Sequence, residues 1–109
     1  IALCDSSVTE PLEGDRYFED LDPCVVAFLD FQFYGGDSIY IHYMTTRSDL
    51  RGKGYARKLV NEFYRRHSKK VTEPLGVMDW GKVMHKGAEK LYREMEAKHP
   101  DIYHKWKAW

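Results

Sequence analysis

The feature that most constrains this chain is the stretch YMTTRSDLRGKGYARKLVNEFYRR, residues 43–66. A strand-like run ends in a basic loop with two glycines, and an amphipathic run at helical spacing follows at once. Glycine weakens a helix by about 1 kcal/mol relative to alanine, so glycines at this boundary indicate a turn that needs positive φ. The stretch therefore predicts a strand, a glycine loop and a helix start, in that order.

The glycine loop is of the kind that holds anions. A helix start presents N–H groups without intrahelical partners and carries the positive end of the helix dipole. The two glycines let the backbone approach a ligand, and Arg51 and Lys53 add positive charge. The P-loop spacing GxxxxGK[ST] is absent, and the dinucleotide spacing GxGxxG fails because Arg57 stands at the third glycine position. A solvated basic turn is the plain alternative.

Length, charge and cysteine content narrow the class of protein. The chain has 109 residues, enough for one domain, and its 17 basic and 17 acidic residues cancel, which argues against a general nucleic-acid binder. Cys4 and Cys24 form no CxxC pattern and the histidines do not cluster, so we expect no metal site and free thiols rather than a disulfide. No apolar run is long enough for a membrane span or a signal peptide. These features predict a cytoplasmic protein.

The remaining patterns predict a single α+β domain over residues 1–109 with the order β-β-β-α-β-α. The sheet is expected to be mixed and mostly antiparallel, with a β-α-β crossover that brings the fourth strand parallel to the third. Residues 1–15 read as irregular, and residues 99–109 as an aromatic tail. The predicted strands cover residues 16–20, 24–34, 38–46 and 73–80, and the predicted amphipathic helices cover residues 54–68 and 82–98.

Two motifs resemble one known family. The pattern R-x-x-G-x-A, residues 51–56, resembles the acyl-CoA pyrophosphate loop of GNAT-type N-acetyltransferases. The segment HKGAEKLY, residues 85–92, is similar to the family's N-x-x-A-x-x-L-Y helix, with His85 in place of the usual asparagine. The resemblance covers about residues 16–95 and implies a GNAT fold of the α/β/α type.

The resemblance implies an acyltransferase that moves an acetyl group from acetyl-CoA to an amine by direct attack. Tyr92 matches the family's general acid, and its ordinary pKa suits protonation of a thiolate; packing within its helix is the alternative. His42 and Asp79 are candidate bases. The residues that would bind acetyl-CoA are Met44, Thr45, Thr46, Arg51, Gly52, Lys53, Gly54, Tyr55, Ala56, Arg57 and His85.

The chain also departs from the family pattern. We expect it to lack the family's closing strands, and its first strand and helices to be absent or reduced to residues 1–15; it starts at Ile1, which is consistent with truncation. These parts usually build the acceptor pocket, so one alternative is an inactive GNAT-like binding or assembly module. A small nucleic-acid-binding domain is a third hypothesis. The tail with Trp106 and Trp109 is expected to pack back on the domain or on a partner, including a second copy.

Overall fold

The computed structural model describes residues 1–34, 38–71, 76–83 and 86–108. In these residues the chain forms five strands and two α-helices, which confirms the predicted α+β class. A short 3₁₀ helix, Ser48–Leu50, leads into the glycine loop. The elements are β1 (Ala2–Cys4), β2 (Val25–Tyr34), β3 (Ser38–Thr46), α1 (Tyr55–Val71), β4 (Val77–Val83), α2 (Lys86–Lys98) and β5 (Tyr103–Ala108).

The strands form one mixed sheet in the order β1-β2-β3-β4-β5. β2 runs antiparallel to both β1 and β3, whereas β4 runs parallel to β3 and β5 runs parallel to β4. The predicted crossover through α1 is therefore confirmed. The sequence Gly-Gly-Asp at residues 35–37 predicts a hairpin turn between β2 and β3, but these residues lie outside the described ones.

The strand predicted over residues 16–20 is wrong, because this segment is a series of turns. The carboxylate of Asp15 accepts a hydrogen bond from the Tyr17 N–H at 3.1 Å. The backbone carbonyl of Asp15 accepts two more, from Phe18 at 3.0 Å and Glu19 at 2.9 Å. An aspartate that bonds its own following backbone competes with sheet pairing. The strand antiparallel to β2 on this side is instead β1, from the segment predicted to be irregular.

The chain after α1 also differs from the prediction. β4 continues to Val83, because Lys82 and Val83 pair with Lys107 and Ala108 of β5. The helix predicted from residue 82 therefore begins at Lys86. The tail was predicted to pack either on its own domain or on a partner. In the structure it packs on its own domain, as β5.

A β-bulge changes the faces of β3. Asp30 of β2 is opposite Tyr43, and the next residue, Phe31, is opposite Ile41, so His42 has no partner in β2. The extra residue reverses the alternation beyond it. Strict alternation along residues 38–46 predicts that Tyr43 shares a face with Ile39 and Ile41. This prediction is wrong: Met44 takes that place against the core, and Tyr43 contacts Phe28 on the opposite face.

The hydrophobic core lies between the sheet and one face of each helix. The helical periodicity predicted this, since the residues at three- and four-residue spacing are the buried ones. On the other face of the sheet, the loop between β1 and β2 buries Phe18 against Phe28, with ring centroids 5.4 Å apart. The core residues contributed by the helices are Leu59, Val60, Phe63, Tyr64, Leu91, Tyr92 and Met95.

Candidate functional site

The site begins where two parallel strands separate. β3 and β4 pair only from Ser38 to Tyr40 and from Val77 to Asp79 in the described residues. β3 then continues to Thr46 and β4 continues to Val83 without pairing to each other there. The β4-facing backbone groups in the second half of β3 are consequently free to meet a ligand, as at the edge of a sheet. A cleft opens between the two strands at this end of the sheet.

The glycine loop lies at one end of the cleft and begins α1. Gly52 and Gly54 have φ values of +82° and +84°, a conformation that L side chains rarely adopt. Gly54 has no side chain to cap the helix, and the first turn holds no acidic residue. No side chain of this first turn therefore supplies a negative charge to the first-turn N–H groups, which lie at the positive end of the 17-residue helix. Such a helix start is suited to bind a phosphate group.

A cavity of about 640 Å³ lies against this loop, and we call it the glycine-loop cavity. Its lining combines the end of β3, the loop and the first turns of both helices. It brings together nine of the eleven residues predicted to bind acetyl-CoA. Lys53 is exposed and is not part of the lining, and His85 lies outside the described residues. The nine are Met44, Thr45, Thr46, Arg51, Gly52, Gly54, Tyr55, Ala56 and Arg57.

The positive charges at this cavity are not equivalent. Arg51 is exposed in the lining. Arg57 instead makes two hydrogen bonds to the carboxylate of Glu94, at 2.9 and 2.8 Å, which join α1 to α2. This contact lowers the pKa of Glu94 and raises that of Arg57. Arg51 is therefore the lining cation better placed to meet a ligand phosphate, and Arg57 holds the two helices together beside it.

A second cavity, of about 680 Å³, continues from the first, and we call it the N-terminal cavity. Met44, Thr45, Arg51 and Ala88 line both cavities, so the two form one cleft. One wall is residues 13–17, and the opposite walls include His42, Tyr43 and Trp80. The sequence did not predict this wall, because residues 13–17 have no periodic pattern and meet the strands only through the fold.

A sequence comparison identifies the family. The profile of the acetyltransferase (GNAT) family matches residues 8–97. The chain belongs to the acetyltransferase (GNAT) family. No curated protein and no solved structure matches the chain. The match includes the glycine loop, both helices and the segment that forms the N-terminal wall, so this GNAT domain contains the whole cleft described above.

The three predicted catalytic residues of this GNAT domain do not meet at one point. His42, the bulged residue of β3, lines the N-terminal cavity, and its Nε2 lies 2.9 Å from Oε1 of Gln32. Asp79 lies on β4 beside Tyr40, and its carboxylate accepts a hydrogen bond from the Gly81 N–H at 2.8 Å. In the described residues, neither Asp79 nor Tyr92 belongs to the lining of the two cavities.

Tyr92 is a core residue of α2. Its side chain is 1% exposed, and its ring lies 5.5 Å from that of Trp80 and 5.1 Å from that of Trp106. The hydroxyl donates a hydrogen bond to Glu96 at 3.0 Å. Burial first, and then this hydrogen bond, raise the pKa of Tyr92 to about 12. The neutral hydroxyl is therefore the state of Tyr92 at physiological pH.

Two sets of hydrogen bonds that the sequence did not predict, made by Arg47 and Tyr55, hold the walls of the cleft. Arg47 is 3% exposed; it donates to the carboxylate of Asp49 and to the carbonyls of Glu10 and Pro23. Tyr55, in the glycine-loop cavity, donates to Asp5 at 2.6 Å. Hydrogen bonds from Ser7 and then Tyr55 lower the pKa of Asp5 to about 2.

In the part of the chain that the structure describes, no group of three or more His, Cys, Asp or Glu side chains is arranged to hold a metal ion. Neither of the two helices in the described ranges has the length and apolar character needed to cross a membrane.

Proposed function

We propose that this GNAT domain transfers an acetyl group from acetyl-CoA to an amine acceptor, by direct attack of the amine while both substrates are bound. The observation that carries the proposal is the continuous cleft, which has an uncapped helix start at one end and a separately walled cavity at the other. A long phosphate-bearing thioester and a second substrate fit this arrangement. Membership of the family supports acyl transfer in general.

In this proposal the pyrophosphate of CoA lies on the backbone N–H groups from Gly52 to Ala56, with Arg51 beside it. The pantetheine arm runs along Met44 to Thr46, where β3 is not paired with β4 and its backbone groups are free to bond the pantetheine amides. The open space around both loop glycines supports this placement, since no heavy atom outside the immediate chain lies within 4 Å of where a Cβ would stand.

The proposal places the reacting thioester near the bulge at His42, in the N-terminal cavity and two residues from Met44, which lines both cavities. A bulge leaves backbone groups out of the sheet ladder, and an N–H directed at a carbonyl oxygen stabilises the negative charge that develops when an amine attacks. The amine nitrogen forms a bond to the acetyl carbon, loses a proton, and the carbon–sulfur bond breaks to release the CoA thiolate. His42 is the better placed of the two candidate bases, because it lines the cavity and Asp79 does not.

The N-terminal cavity is proposed as the acceptor site. The rings of Tyr17 and Tyr43 lie 5.1 Å apart in its wall, beside the carboxylate-bearing residues Glu13 and Asp15. Aromatic faces and carboxylates attract a substituted ammonium group. The lining also holds the guanidinium groups of Arg16 and Arg51, and Arg16 lies over the Tyr17 ring at 4.7 Å, so an acceptor amine on an apolar body would approach Tyr43 and the two carboxylates.

Tyr92 is retained as the proposed general acid, and its phenylalanine variant tests that role. We expect Tyr92→Phe to lower kcat at least about tenfold, as loss of a general acid does, with little change in the affinity for acetyl-CoA. The measurement is release of free CoA thiol with a panel of primary amines, together with calorimetry of acetyl-CoA binding. Phe63→Leu is the matched core control, because it alters a buried ring without removing a hydroxyl. An unchanged kcat in Tyr92→Phe would remove Tyr92 from the mechanism.

A specific observation also favours a second candidate, a GNAT module that binds CoA without catalysis. The hydroxyl of Tyr92 donates to Glu96, and a pKa of about 12 makes it a weak acid for protonating a thiolate. Under this alternative the wild-type protein binds acetyl-CoA but releases no CoA thiol with any amine of the panel. Turnover above the rate without protein would eliminate it.

A further inference from the structure

The two cysteine side chains meet at the N-terminal edge of the sheet. The Sγ atoms of Cys4 and Cys24 lie 2.8 Å apart, and both residues are free thiols. β1 and β2 are antiparallel here, and the Asp5 N–H donates to the Cys24 carbonyl at 2.8 Å, so the two backbones run side by side. Cys4 is exposed, and Cys24 is half-buried. Thiols on adjacent backbones in this arrangement meet the main geometric requirement for a disulfide.

We propose that Cys4 and Cys24 form a reversible disulfide bond by exchange with a low-molecular-weight disulfide such as glutathione disulfide. The Cys4 thiolate attacks one sulfur of glutathione disulfide, forms a mixed disulfide and releases one glutathione thiolate. The Cys24 thiolate then attacks the Cys4 sulfur and releases the second glutathione. Two protein thiols are oxidised, and one glutathione disulfide is reduced to two glutathione molecules.

The surroundings of the two thiols set the order of these steps. The hydrogen bond to Cys4 first, and then burial, raise the pKa of the Cys24 thiol to about 12. Cys24 is therefore a poor first nucleophile, because the thiolate is the reactive form. The hydrogen bond to the Cys4 thiol, which contributes most to the raised pKa of Cys24, is lost once Cys4 carries glutathione. Cys24 then attacks the Cys4 sulfur and resolves the mixed disulfide. The more exposed residue, Cys4, is the one that meets the oxidant.

The bond would close residues 5–23 into a loop, and this loop builds part of the cleft. Residues 13–17 line the N-terminal cavity, and Asp5, directly after Cys4, bonds Tyr55 of the glycine-loop cavity. Closing the loop restricts the unfolded chain and holds both ends of this wall in place. The consequence for acceptor binding rests on the proposed function, whereas formation of the bond does not.

The test treats the full chain with glutathione disulfide, blocks remaining thiols with iodoacetamide, and measures the intact mass. We expect the wild-type protein to lose two hydrogen atoms and to accept no alkyl group, and dithiothreitol to restore both thiols. The matched controls are Cys4→Ser and Cys24→Ser, which cannot close the bond. Each is expected to retain glutathione on its remaining cysteine, with slower modification in Cys4→Ser because Cys24 is less exposed than Cys4. A wild-type protein that carries two glutathione groups, or two alkyl groups under conditions that modify Cys24→Ser completely, would overturn the proposal.

Two functional readouts follow for the oxidised protein. Its melting temperature is expected to rise by roughly 10 °C over the reduced protein, with no such rise in Cys4→Ser.

The KM for the amine acceptor is expected to change at least about threefold in the oxidised protein, a shift of ~0.7 kcal/mol, while affinity for acetyl-CoA stays constant. An unchanged KM with the bond formed would overturn only the effect on the acceptor wall. Absence of turnover in both redox states would contradict the proposed function and leave the bond standing.

Discussion

At the scale of the residue, Gly54 connects backbone conformation to ligand binding. A side chain at φ +84° is strained, and a side chain at this place would also project toward the ligand that we propose. Gly14 makes a matched comparison, because it has φ +83° and the same open surroundings but lies in the N-terminal wall. The two glycines therefore separate the effect of strain from the effect of position.

We expect Gly54→Asp to lower acetyl-CoA affinity by at least about a hundredfold, or ~3 kcal/mol, because a carboxylate would repel the phosphates and obstruct the backbone. Gly14→Asp is expected to lose similar stability and to retain wild-type affinity. Calorimetry with acetyl-CoA and thermal unfolding of both variants provide the measurement. Wild-type affinity in Gly54→Asp would show that the glycine loop does not hold the CoA pyrophosphate.

Arg47 makes contacts with distant residues that the spacing of the glycine-loop motif does not predict. It precedes the glycine loop by a few residues, yet its guanidinium is buried and bonds two backbone carbonyls as well as Asp49. These carbonyls, from Glu10 and Pro23, belong to a distant part of the chain. No local pattern in the sequence indicates such a contact, since a single arginine in a basic loop is ordinarily solvated.

We expect Arg47→Ala to lower the free energy of unfolding by about 2–3 kcal/mol, because it removes a buried guanidinium that bonds the carbonyls of Glu10 and Pro23 and leaves a cavity. The control is Arg66→Ala, which removes an arginine that is 52% exposed and pairs only at the surface with Glu62. Urea unfolding of both variants checks the difference. Equal and small losses in the two variants would contradict a structural role for Arg47.

At the scale of the element, β5 places a histidine inside the core. His104 stacks on Tyr64 with ring centroids 5.8 Å apart, and its Nδ1 lies 2.9 Å from the carbonyl oxygen of Ile102. In the described part of the chain its Nε2 is buried without a hydrogen-bond partner. Burial lowers the pKa of His104 and, on the loop before β5, that of His99. Both histidines are therefore held in the neutral form in the folded protein.

This arrangement predicts a loss of stability in mild acid. A histidine whose pKa is lowered on folding contributes its full stability above its unfolded pKa of about 6.5. That contribution is lost as the pH falls below this value toward the lower folded pKa, because the unfolded chain binds the proton more readily. The melting temperature is thus expected to fall between about pH 7 and 5. We expect His104→Phe to flatten the dependence of melting temperature on pH, and His42→Gln, at an exposed position, to leave it unchanged. Equal slopes of melting temperature against pH in the wild type and both variants would contradict a role for His104.

Some of the helices and strands could be predicted from local sequence patterns, and others could not. The two amphipathic helices and the long strands β2 and β3 were predictable, because hydrophobic periodicity over many residues identifies the buried face. β5 was not predicted, since the pairing that stabilises its six residues comes from β4 and depends on the crossover through α2. The bulge at His42 was not visible either, because it is a property of the register between two strands and not of one strand's sequence.

For the whole molecule, the proposed function depends on β3 and β4, which pair from Ser38 to Tyr40 and from Val77 to Asp79 and then diverge. The glycine loop and nine residues that line its cavity could be predicted from the R-x-x-G-x-A motif together with what the family resemblance implies. The N-terminal cavity was not predictable, because its walls come from residues 13–17, β3, β4 and α2 and meet only in the fold. The same reason explains why Arg57, predicted beside the phosphates, was not predicted to bond Glu94 of the other helix. Local motifs thus locate the proposed cofactor end of the cleft better than the proposed acceptor end.

Calorimetry of acetyl-CoA binding to the wild-type protein tests whether the cleft holds this ligand. We expect one site per chain with a Kd between about 1 µM and 1 mM, and a matching rise in melting temperature as acetyl-CoA is added. The free acetate ion, which lacks the pyrophosphate and the pantetheine arm, should give neither effect. No binding heat and no thermal shift at millimolar acetyl-CoA, from a protein that unfolds cooperatively, would contradict the claim that this cleft holds acetyl-CoA.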